Sequence, residues 1–96
     1  MKYTTITPPT ATVSVPGPFI KSTWMELDAE LNAAYQNGCT KVVIDLAQTA
    51  WIDSTTIKRY ARIKDYVGSS NLILANPQPK VLAILKAGRL ESFIRA

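Results

Sequence analysis

Carboxylate and hydroxyl side chains crowd together at Asp53-Ser54-Thr55-Thr56, and Lys58 and Arg59 follow at once. An acidic residue and a row of hydroxyls suit the start of a helix. There the first backbone N–H groups lack partners and carry partial positive charge. Such a place seats an anion, including a phosphate made on Ser54 itself. Lys58 stands four residues beyond Ser54, one helical turn away, where it could help hold that phosphate. The plainer use of the same residues is capping, which favours Asp, Ser and Thr at helix starts. Asp45 and Asp53 could be pictured as an acid–base pair, but no neighbouring residue type marks either for it.

The rest of the composition narrows the chemistry. There is no histidine, so the commonest general base and the commonest zinc ligand are missing. A Ser-His or Cys-His nucleophile is thereby excluded. Cys39 is the one cysteine, which rules out an internal disulfide and fits a reducing compartment. No glycine-rich phosphate loop of either common kind occurs. Neither an enzyme nor a metal or cofactor site is expected.

The elements that must position the Asp53 turn can be read on either side of it. Val42-Val43-Ile44-Asp45-Leu46 is an apolar run without polar alternation, which predicts a central strand covered on both faces. Ala47–Ala50 reads as a connector, followed by Trp51-Ile52 and then a helix capped by Asp53. Ile57, Tyr60, Ala61 and Val67 can face inward on that helix, with Lys58, Arg59, Arg62 and Asp65 toward water and Gly68 as its stop.

Upstream, Lys2–Thr7 predicts an edge strand ended by Pro8-Pro9, and Thr10–Val15 a second strand. Pro16-Gly17-Pro18 reads as a turn. A helix should begin near Ser22 or Thr23, with Thr23–Glu26 as a capping box, Trp24, Leu27, Leu31, Ala34 and Tyr35 inward, and Gly38 as the stop. Downstream, Asn71–Ala75 is a short buried strand, Pro79 opens a third helix ending at Ala87-Gly88, and Leu90–Ala96 is a short last segment. Strands alternating with helices after an N-terminal pair of strands give an α/β fold. Its central sheet is mostly parallel with an antiparallel N-terminal edge, and it carries three to four helices.

Ninety-six residues, 47% of them hydrophobic, are expected to make one globular domain over residues 1–96. No apolar run reaches the roughly 18 residues of a membrane span. The first residues show no secretory pattern, so a cytoplasmic place is expected. Charge is uneven: residues 1–57 hold three basic and five acidic side chains, and residues 58–96 hold eight and two. Lys58, Arg59, Arg62 and Lys64 could form a nucleic-acid face, but no stacking aromatics are interleaved with them. A solvated helix surface explains the bias, and no nucleic-acid partner is expected.

The chain resembles the STAS domain, named for sulfate transporters and anti-sigma factor antagonists. The resemblance is carried by Lys41–Leu46, by Trp51-Ile52-Asp53-Ser54-Thr55 and the helix after it, and by Leu72–Ala75, Pro79-Lys80-Val81 and Leu85–Leu90. It implies a switchable binding module without catalysis. By this resemblance Ser54 is the residue phosphorylated by a partner kinase. The unmodified form binds an anti-sigma factor that is itself that serine kinase, and a phosphatase restores it. Asp53, Ser54, Thr55, Thr56, Lys58 and Arg59 are then the partner-binding residues. Thr56 stands where the family carries glycine, and Gly17-Pro18-Phe19-Ile20 lacks the acidic residue usual in antagonists. The latter feature is closer to the alternative, a regulatory STAS domain of a SulP-type anion transporter. The short C-terminal segment leaves a sheet edge open to a partner or to a second copy in a homodimer.

Overall fold

The computed structural model describes residues 1–95. Five strands form one sheet: β1 (Thr4–Thr7), β2 (Thr10–Ser14), β4 (Lys41–Asp45), β6 (Leu72–Ala75) and β7 (Ile94–Arg95), side by side in that order. β1 and β2 are antiparallel, and every other pairing in this sheet is parallel. A second, two-stranded sheet joins β3 (Gly17–Phe19) to β5 (Thr49–Ile52) in parallel. Three helices complete the fold: α1 (Lys21–Gln36), α2 (Ser54–Val67) and α3 (Pro79–Ala87). This is the mixed, mostly parallel α/β architecture that the residue pattern predicts.

The helix stops follow from backbone chemistry. Gly38 and Gly68 take positive φ values of 89° and 96° just past α1 and α2, which glycine adopts without a Cβ clash. At the end of α3 the left-handed residue is Arg89, at φ 63°, and not Gly88. Gly88 serves close packing instead, because a Cβ there would lie 3.1 Å from Ile57 Cγ2 on α2.

Five sequence expectations change. Gly17 and Pro18 are strand residues in β3 and not only a turn. The Ala47–Ala50 connector is partly strand, since Thr49 and Ala50 begin β5. Thr49 is fully buried, and its hydroxyl donates to the Val15 carbonyl at 2.7 Å. α1 begins at Lys21 with Ile20 as its N-cap, so Thr23 is its third residue and accepts from the Ile20 N–H at 3.3 Å. Glu26 therefore has no part in a box and pairs with Lys2 at 3.2 Å. The open sheet edge at β6 is partly closed, because Ile94 and Arg95 pair with Leu74 and Ala75.

The fifth change concerns the central strand, which is covered on one face only. Burial alternates along β2, β4 and β6. Val13, Val42, Ile44, Leu72 and Leu74 join one core with Trp24, Leu27, Leu31, Tyr60, Ile63, Val81 and Leu85 from all three helices. Val43 and Ile73 point the other way and stay half-buried, outside both apolar clusters. β-branched residues on both faces of a strand hide that alternation from hydropathy.

Candidate functional site

β5 delivers the chain to Asp53 with Ile52 anchored in the core. Asp53 is extended and caps α2: its Oδ1 accepts from the Thr56 N–H at 2.8 Å. Its Oδ2 accepts from the Lys21 N–H at 2.9 Å, the first residue of α1. One carboxylate thus satisfies an unpaired N–H at the starts of two helices, whose partial positive charges both favour it. Burial alone pushes the Asp53 carboxyl up, but the N–H groups of Thr56 and Lys21 outweigh it and hold the group below its ordinary value.

A depressed folded-state value stabilises the fold above the unfolded aspartate value of about 3.9. That contribution is lost as pH falls from there through the folded value. Melting curves recorded across this window should show wild type losing stability faster on acidification than Asp53→Asn, which should already be weaker at neutral pH. Parallel curves would show that the carboxylate does not hold the two helix starts.

The hydroxyls after Asp53 divide. Ser54, the first residue of α2, is exposed, and Thr55 is half-buried. Thr56 is 0% exposed. Its Oγ1 accepts from the Trp24 indole N–H at 3.0 Å and donates to the Phe19 carbonyl at 2.8 Å. Thr56 therefore locks β3 and α1 onto α2 and does not join the exposed surface expected of it. Below it Phe19, Trp24 and Tyr60 pack as an aromatic trio with ring centroids 5.0 to 6.1 Å apart. Burial, followed by the charge of Asp53, drives the Tyr60 phenol well above its usual pKa, so it stays neutral.

The two cations also differ. Lys58 is exposed on the same side of the chain end as Ser54 by helical spacing. Arg59 is already engaged: Nη1 reaches both Asp28 carboxylate oxygens, at 2.9 and 3.0 Å, and its guanidinium lies 5.8 Å from the Trp24 ring. It braces α2 against α1 and is half-buried, unlike the water-facing side chain expected from the helix pattern. Lys64 lies 3.5 Å from Asp65. The basic residues of α2 are thus partly neutralised within the chain.

Beside Asp53 lies a groove of about 410 Å³ lined by Ile20, Lys21, Ser22, Met25, Trp51 and Asp53. Met25 is 82% exposed and Trp51 40%. Exposed apolar side chains flanking a groove make it a candidate contact surface. Sequence reading missed this groove. The signal was available: Met25 lies off the buried stripe of α1, and Trp51 lies out of step with buried Ile52. Among the described residues no group of three or more potential metal ligands forms, and no helix is long and apolar enough to cross a membrane.

Comparison with known proteins places this geometry. The STAS domain family model matches residues 2–96. No curated protein sequence matches the chain. Among solved structures, the anti-sigma factor antagonist SpoIIAA in its unphosphorylated form superposes with a TM-score of 0.83 at 16% identity, over 95% of this chain and 82% of that one. The Bacillus cell fate determinant SpoIIAA in the phosphorylated form gives 0.73 at 16% identity, over 95% and 85%. At such identity the likeness is one of fold.

Proposed function

The chain belongs to the STAS domain family, and from that premise we propose that it is a non-enzymatic binding module, an anti-sigma factor antagonist-like partner switch controlled by phosphorylation of Ser54. The observation that carries this reading is the contrast within one turn. Ser54 is exposed at the head of α2, while Asp53 and Thr56 on either side are spent on holding the fold. A kinase can reach the exposed Ser54 hydroxyl without disturbing Asp53 or Thr56.

The partners this reading names are an anti-sigma factor with serine kinase activity and a phosphatase that reverses it, meeting the chain in the cytoplasm. Ser54, Thr55, Lys58 and the Met25–Trp51 groove form the contact surface. Asp53 and Arg59 shape it from below. A phosphate on Ser54 adds about −1.5 to −2 charges and three acceptor oxygens. Asp53 opposes that charge, but the start of α2 and Lys58 favour it, so the fold persists. A partner face that must bury the dianion without matching donors does not tolerate it. The switch is a local electrostatic block and needs no refolding.

The test is to incubate the purified chain with ATP and the candidate serine kinase from its own genome, then to measure intact mass. One added phosphate is expected, with none on Ser54→Ala. Unchanged mass with an active kinase, or a phosphate that persists in Ser54→Ala, would move the site elsewhere.

A further inference from the structure

The sheet face turned away from the helices is complementary to itself, and we propose that it pairs two copies of this chain face to face. Strand register sets out the face row by row. Thr5, Thr12, Val43 and Ile73 lie abreast across its middle. Thr7, Thr10 and Lys41 form the row on one side, and Ser14, Asp45, Ala75 and Arg95 the row on the other.

Three observations point to a second copy as the occupant. First, Val43 and Ile73 are apolar, half-buried and part of neither apolar cluster, whereas the opposite face of the same strands is fully packed. Second, the side chains beside them include the short Thr5, Thr12, Ser14 and Ala75, which let two sheets approach at the usual spacing of about 10 Å, with the longer Lys41, Asp45 and Arg95 toward the ends of the strands.

Third, the Lys41 and Asp45 charges match under a two-fold axis, with Arg95 at the β7 edge left outside the match. Lys41 and Asp45 stand two residues to either side of Val43 on one strand. Neither forms an ion pair among the described residues. Asp45 accepts only from the Ala47 N–H at 3.1 Å and from Asn76 at 3.5 Å. An axis running between two such sheets, across the strands, reverses strand direction. Val43 then meets Val43, and Lys41 of each copy meets Asp45 of the other. An isologous interface demands this self-complementarity.

The size of the face sets its class. Four strands of five residues, at about 4.8 Å between strands and 3.3 Å per residue, cover roughly 300 Å². A standard interface buries about 800 Å² per partner. A face this far below the standard size makes at most a weak, reversible pair, so association is sought from about 10 µM to about 1 mM. It leaves α2 and Ser54 uncovered, so it operates independently of any modification there.

Sedimentation of the full chain across that concentration range tests this. The average mass of the wild type should climb toward twice the monomer. Lys41→Asp and Asp45→Lys should each remain monomeric, since each sets like charges face to face. An equimolar mixture of the two should associate again, because its cross-contacts are attractive. Amide shifts that follow dilution of the wild type should centre on Thr12, Val43 and Ile73, a readout that needs no variant. A constant monomer mass, a dimer indifferent to both reversals, or dilution shifts centred on α2 or the β1 edge would overturn the proposal.

Discussion

Thr56→Val should unfold about 2–4 kcal/mol more easily than the wild type, while Thr56→Ser should lose no more than about 1 kcal/mol. The asymmetry follows from what the Thr56 hydroxyl does. It accepts from the Trp24 indole and donates to the Phe19 carbonyl, and the site is sealed. Valine keeps the shape but leaves a buried N–H and a buried carbonyl without this partner, at about 1–3 kcal/mol for each group left unsatisfied. Serine keeps both bonds and gives up one methyl, worth about 0.8 kcal/mol of burial. Chemical denaturation of the two variants distinguishes them. Equal losses would mean that the methyl, and not the hydroxyl, is what Thr56 contributes. The pairing also accounts for threonine where the family carries glycine: a glycine would leave the Trp24 N–H without this acceptor.

Ser54→Asp should bind the partner at least about 100-fold more weakly than the wild type, with Ser54→Ala staying within a few-fold. Setting an unmatched charge into an interface costs several kcal/mol, and about 2.7 kcal/mol is a hundredfold. Aspartate carries one charge where phosphate carries nearly two, so the phosphorylated chain should lose more still. Melting temperature should barely move in either variant, because Ser54 is exposed and caps nothing. Titration calorimetry against the proposed anti-sigma factor partner measures the difference. Binding of Ser54→Asp at wild-type strength would rule out a charge block.

The parts of this arrangement that sequence discloses are the local ones. Asp53 caps α2 because its acceptor reaches a donor three residues away, and Gly38 and Gly68 stop their helices through their own backbone freedom. The buried stripe Trp24, Leu27, Leu31, Ala34 shows in its spacing. The parts it conceals join distant segments. β3 and β5 are three and four residues long, and each is a strand only because the other is there. α1 starts earlier than its own residues suggest because Asp53, 32 positions away, caps it. Thr56 looks like one more hydroxyl in a capping row until Trp24 is brought against it. Val43 and Ile73 make their strands look buried on both faces, since a β-branched side chain on an open sheet face reads the same as one in the core.

The central claim is that charge placed on Ser54 acts on the partner and leaves the fold alone. Its most direct measurement compares the unmodified chain with the chain carrying one phosphate on Ser54. Each is titrated with the same anti-sigma factor, and each is melted under circular dichroism. Matching melts with binding seen only for the unmodified chain is the predicted result. Equal binding by both forms, or a phosphorylated chain that has lost its folded signal, would contradict it.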